Sequence, residues 1–155
     1  MTKLSRGLAA LACACTLAIA QAQPAAPANA TIPAPADDAL FRDLGGQAGI
    51  DRIVGDFVPR LATDARLGEF FKRANQEHLK EMLAQLVCRI SGGGCVYTGL
   101  SMKQAHQDID VARSDFNALV EALQAAMDAQ GVPFATQNRL LARLAPLHRD
   151  IVNVH

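Results

Sequence analysis

From Leu40 onward the apolar residues recur with a helical period. Ile50, Ile53, Val54, Phe57 and Leu61 follow the spacing i, i+3, i+4, i+7, i+11, which places them on one face of a helix. Leu79, Leu83, Leu86 and Ile90 form a second stripe with Met82 beside it, and Phe116, Leu119, Val120, Leu123 and Met127 form a third. Leu140, Leu144, Leu147 and Ile151 form a fourth, read here as the face of one last long helix. No stretch alternates as a half-buried strand does. The pattern predicts an all-α domain of four long helices and several short ones.

Glycines and a proline punctuate these stripes. Gly45-Gly46 closes a short opening helix, Gly92-Gly93-Gly94 closes the second long one, and Gly131 closes the third. Pro133 suits the start of the last helix. A plain four-helix bundle leaves one segment unexplained. Between Ser91 and Val111 the chain runs through glycines, a Tyr-Thr-Gly turn and only a scrap of helix. A connection that long inside a compact domain is usually functional.

Composition sharpens the ends of the chain more than its middle. Half of the 155 residues are hydrophobic, enough for one compact domain. Basic and acidic residues balance at 15 each and no basic run exceeds two residues, so there is no electrostatic footprint for nucleic acid. Residues 1–22 carry Lys3 and Arg6, then an apolar run from Gly7 to Ala20, then small residues. That order predicts a secretory signal peptide cleaved after Ala22, leaving no stable membrane span and a periplasmic, slightly acidic chain. Neither Cys13 nor Cys15 has a leucine three residues before it, which argues against a lipoprotein signal. Residues 23–37, rich in Ala and Pro, read as an extended tether, with the folded domain at 38–155. Cys88 and Cys95 then remain, and two cysteines in an exported chain favour a disulfide, with two free thiols as the alternative.

The order of motifs from "LFRDLGG" to "LAPLHRDIV" resembles the group 1 truncated haemoglobins, the small two-over-two bacterial globins. It rests on Gly45-Gly46, the Phe70-Phe71 pair, Gly92-Gly93, "YTG" at 97–99 and "MKQAH" at 102–106. The resemblance implies His106 as the proximal ligand of a haem iron and Phe71 as an aromatic against the porphyrin. It implies a haem-lining set of Phe57, Val58, Phe70, Phe71, Leu79, Met82, Leu83, Met102, His106, Val111 and Phe116. Haem iron takes a neutral imidazole, whose other ring nitrogen must donate to a fixed acceptor. Met102 lies one turn before His106, so both face one side. His78, His148 and His155 have no such setting and read as ordinary histidines. Without a Cys-x-x-Cys-His motif, the implied cofactor is haem b, held without thioether bonds.

The distal side departs from that family's pattern. Members that hold oxygen tightly carry Tyr in the first long helix and Gln on the second; the matching positions here are Val58 and Leu83, and Leu79 is apolar too. A hydrogen bond to a charged acceptor is worth about 1.5–3 kcal/mol, so its loss implies oxygen affinity roughly ten- to a hundredfold lower, with faster release. Gln76, His78 and Gln85 are the candidates to replace the donor. Met82 is either core filling or, less simply, a sixth ligand, since a thioether favours ferrous iron. The reading favoured is a reversible binder of oxygen, NO or CO. Against it stand a haem enzyme consuming NO with an unnamed reductase, an electron-transfer haem protein, and a haem-free helical interaction module.

Overall fold

The computed structural model describes residues 32–154. The signal-peptide segment and residues 23–31 of the Ala/Pro-rich stretch lie outside the described residues. Among the described residues there are only helices and connections. They run α1 (Ala39–Asp43), α2 (Gly46–Thr63), α3 (Gly68–Phe71), α4 (Gln76–Ser91), α5 (Met102–His106), α6 (Arg113–Ala129), α7 (Phe134–Leu144) and α8 (His148–Ile151). No helix among them is long and apolar enough to cross a membrane.

The first stripe becomes the centre of the molecule. Ile50, Ile53, Val54, Phe57 and Leu61 are each 2% exposed or less, and α2 packs chiefly on α4 and α6. α4 and α6 each also lean on α7. The four helices α2, α4, α6 and α7 thus pack on one another as a two-over-two sandwich. Pro59 sits inside α2 and has no N–H to give the carbonyl of Gly55. Gly55 has open space around it, so the strain of that missing bond falls on a solvent-facing residue.

α4 is bounded by local chemistry. The Asn75 side chain accepts from the backbone N–H groups of Glu77 and His78, both at 3.1 Å, and caps the first turn. Gly92 ends the helix at φ 95°, and a side chain there would run into the backbone carbonyl of Asp37. Gly93 lies against the Phe41 ring and the Cys88 sulfur with no room for a Cβ. Cys88 and Cys95 come together here, their Cα atoms 5.7 Å apart, within the span a disulfide requires. Contact with the domain already exists at Ile32, which is 3% exposed and whose carbonyl accepts from Arg89 Nε at 2.8 Å. Residues 32–37 thus lie along the domain.

The fourth stripe is not one helix. α7 stops at Leu144, a 3₁₀ turn covers Ala145–Leu147, and α8 resumes at His148. The reason is Pro146, which cannot donate to the carbonyl four residues back and crowds it. The stripe's spacing survives the break, so Leu147 and Ile151 still pack against the core.

Candidate functional site

The long connection after α4 is a mount for α5. Tyr97 folds its ring over Gly99, where any side chain would collide with it, and its hydroxyl donates to the carbonyl of Leu100 at 2.8 Å. Burial pushes the Tyr97 phenol above its usual value. Thr98 donates through its backbone N–H (3.0 Å) and its hydroxyl (2.9 Å) to Gln85 Oε1, tying the connection to α4. Ser101 and Gln104 then form a reciprocal capping box at the start of α5. Five residues are too few to hold a helix alone, so these external bonds set where α5 lies.

His106 ends α5. Its Nδ1 lies 2.7 Å from the carbonyl oxygen of Met102, one turn back. A carbonyl only accepts, so Nδ1 carries the proton and Nε2 keeps its lone pair free for a ligand. Met102 is buried and anchors the helix from beneath, while the His106 ring is half-exposed.

The ring opens on an apolar cleft. Its walls are Leu67, Phe70, Phe71, His106, Ile109, Val111, Asp115, Phe116, Leu119 and Ile151. The one carboxylate, Asp115, already accepts from the Ala112 backbone N–H at 2.9 Å as a cap of α6. Phe116 is backed by the edge of His148, with ring centroids 4.8 Å apart at 79°.

Of the residues expected at the site, Phe70, Phe71, His106, Val111 and Phe116 line this cleft. Phe57 and Val58 are core residues of α2, 2% and 1% exposed. Leu79, Met82 and Leu83 lie along α4, half-buried against the core. Met102 contributes its carbonyl and a buried side chain. Sequence reasoning missed Leu67, Ile109, Asp115, Leu119 and Ile151. Leu119 and Ile151 already stood in the third and fourth stripes; Leu67 and Ile109 are lone apolar residues in turns and carry no periodic signal. The three candidate distal donors stay apart from the cleft walls. Gln85 is engaged with Thr98, and Gln76 and His78 are exposed on the first turn of α4.

These features fit a flat, apolar, metal-bearing cofactor. Among the described residues no group of three or more His, Cys, Asp or Glu side chains gathers. One imidazole could therefore hold an ion here only if a prosthetic group supplied the other ligands, as a porphyrin does.

An all-helical two-over-two sandwich with one donor-ready histidine above an apolar cleft defines a small globin. The model of the bacterial-like globin family matches residues 39–153, and the chain belongs to that family, among the group 1 truncated haemoglobins. It is 31% identical over 113 residues to the group 1 truncated hemoglobin GlbN of Mycolicibacterium paratuberculosis, covering 73% of this chain and 83% of that one. It is 32% identical over 93 residues to the group 1 truncated hemoglobin of Tetrahymena thermophila, covering 60% and 77%. Among solved structures it resembles the Fe(III) truncated hemoglobin of Tetrahymena pyriformis, with TM-score 0.71, 24% identity, and coverage of 74% of this chain and 98% of that one. The 2/2 hemoglobin from Synechococcus sp. PCC 7002, solved in the cyanomet state with covalently attached heme, gives TM-score 0.69 at 24% identity with the same coverage. Membership of the globin family implies haem binding.

Proposed function

We propose that this protein holds haem b in the cleft beneath α5 and uses it to bind a small diatomic gas reversibly in the periplasm. The observation that carries this is the His106–Met102 hydrogen bond, which leaves the one ring nitrogen able to bind iron free at the edge of an apolar cavity. Bound haem would supply the iron that takes up the gas. The chain's own residues do the rest. Met102 fixes the tautomer of His106 and the direction of its ring. Phe70, Phe71, Val111 and Phe116, with Leu119 and Ile151, exclude water and hold the porphyrin by apolar contact. Val58, Leu79 and Leu83 offer no hydrogen-bond donor, so a gas that needs one is held loosely and released fast.

Two further parts of the proposal rest on the chain ends and its cysteines. The Lys3/Arg6 and apolar pattern of residues 1–22 supports export. The approach of Cys88 to Cys95 supports a disulfide, which an oxidising compartment makes and keeps. The sequence has no Cys-x-x-Cys-His to form the thioether bonds of a c-type haem, which supports haem b. A reductase, unidentified, would be needed to return oxidised iron to the ferrous state.

The test is the visible spectrum of the haem-reconstituted chain. Wild type should give a ferrous Soret band that shifts on CO addition, and acidified organic solvent should extract the haem. The His106→Ala variant should lose defined coordination. An unchanged ferrous and CO-treated spectrum in His106→Ala would sink the reading.

A further inference from the structure

The C-terminal end of the chain reaches back to the histidine. Asn153 follows α8 by two residues and inserts its carboxamide beneath the end of α5. Its Nδ2 donates to the carbonyl oxygen of His106 at 2.9 Å and to that of Ile109 at 2.5 Å. Its Oδ1 accepts from the backbone N–H of Val111 at 2.8 Å. The backbone N–H groups of Asn153 and Val154 both donate to the Val111 carbonyl, at 3.1 and 3.3 Å. The two ends of the carboxamide cannot be exchanged, since one faces two acceptors and the other faces a donor.

The carbonyls at a helix end have no partner within the helix and must find one elsewhere. α5 is five residues long, and its start is fixed by the Ser101–Gln104 box and the Tyr97 turn. At its end, where the candidate ligand ring sits, the His106 carbonyl accepts from Asn153 Nδ2 at 2.9 Å and, at a longer 3.3 Å, from the Ile109 N–H. The His106 ring is bonded within α5 itself, to Met102, so ring and helix move as one body. Whatever sets the position of the helix end sets the position of Nε2. Ile109 and Val111, the residues pinned beside it, are walls of the cleft.

We infer that Asn153 is the positioning residue of the proximal histidine: its carboxamide sets how far α5 stands from the cleft and how firmly His106 holds the iron. This rests on the haem-binding reading above. Asn153→Asp is the sharpest perturbation. It keeps the shape and the acceptor for Val111 but turns an oxygen toward the two carbonyls that Nδ2 served. Asn153→Ala removes both functions and serves as the second variant if the first does not fold.

The experiment uses the full mature chain. Haem uptake by wild type is measured first, and its failure would remove the haem reading and this inference with it. Given uptake, resonance Raman of the ferrous protein should show the iron–histidine stretching band shifted or broadened in Asn153→Asp. Haem transfer to excess apomyoglobin should be faster by about tenfold or more, the usual scale for losing a partner that orients a metal ligand. In a His106→Ala background the Asn153 substitution should alter haem transfer less than it does with His106 present, since only the wall contacts of Ile109 and Val111 are then affected. An equal effect in both backgrounds would overturn the assignment. A folded Asn153→Asp or Asn153→Ala protein with a wild-type iron–histidine band and a transfer rate within twofold of wild type would overturn the assignment, leaving haem binding intact.

Discussion

If Cys88 and Cys95 are bridged as proposed, reduction opens the bridge without substituting any residue, so its magnitude follows from chain statistics. The two cysteines are 7 residues apart, and for a closed loop of about eight residues the chain-entropy relation gives about 2.5 kcal/mol at 25 °C. For a domain of this size that corresponds to a fall in melting temperature on the order of 10 °C. Cys88 is fully buried in α4 and the Gly92–Gly94 run lies between the two sulfurs. Reduction therefore frees the start of the connection that carries Tyr97 and α5, and haem retention should weaken with stability. The assay is thermal unfolding by circular dichroism with and without a phosphine reductant, paired with intact mass after alkylation of protein taken from the oxidising compartment. Two alkylated cysteines without reductant, or a bridged protein whose melting temperature moves by less than about 2 °C on reduction, would refute the reasoning.

Three other perturbations test separate parts of the molecule. Leu83→Gln should return a donor to the distal side and slow oxygen release about ten- to a hundredfold by stopped-flow displacement, with CO binding changed far less; equal oxygen release in the two proteins would count against an apolar distal side as the cause. Met82→Leu should leave the gas-free ferrous spectrum and the CO association rate unchanged, because Met82 packs against the core from α4, and a changed resting spectrum would instead make it an iron ligand. Asp64 should give the α2–α3 turn an acid-sensitive contribution. Hydrogen bonds from the Arg66 guanidinium hold its carboxyl at about 2 against a usual 3.8. The folded value is the lower one, so the stabilisation is present above about pH 4 and lost as pH falls toward 2. Asp64→Asn should flatten the dependence of the urea midpoint on pH across that window, and an unaltered slope would remove Asp64 from the account.

What the sequence made legible follows from range. The α2, α4 and α6 stripes are local repeats of 3.6 residues; the α2 stripe is buried throughout, and those of α4 and α6 are buried at Leu86 and Ile90 and at Leu123 and Met127. Gly92 and Gly131 marked helix ends because a left-handed turn is a local demand on one residue, met at φ 95° and 69°. Pro146 was equally local, yet the stripe running across it carried more weight and the break in the last helix went unread. α5 is too short for any period. Its histidine was found through the order of motifs around it, although Ser101 and Gln104 do carry a capping-box pattern in the sequence itself. Leu67, Ile109 and Asn153 had no local signal. Asn153 acts on residues more than forty positions away, and a lone polar residue near a chain end says nothing about such a partner.

One α4 side chain is also linked to the helix that carries His106 in a way that no single motif states. Gln85 follows Leu83, which the family resemblance places on the distal side, and is one of three candidates in sequence to restore a lost donor. Its oxygen accepts both donors of Thr98, and its amide nitrogen lies 3.4 Å from Glu81 Oε1. To swing toward a gas it would have to abandon two hydrogen bonds that hold the Tyr97–Gly99 turn, and with it the entry to α5. At about 1 kcal/mol each, those bonds offset much of what one new bond to a polarised gas would return. On the proposed reading, the same side chain is held away from a gas while it ties α4 to the connection that carries α5. A Gln85→Leu variant separates the two roles: it should leave gas release unchanged per bound haem while loosening the haem itself. Faster oxygen release from Gln85→Leu at equal haem occupancy would show that Gln85 was the distal donor after all.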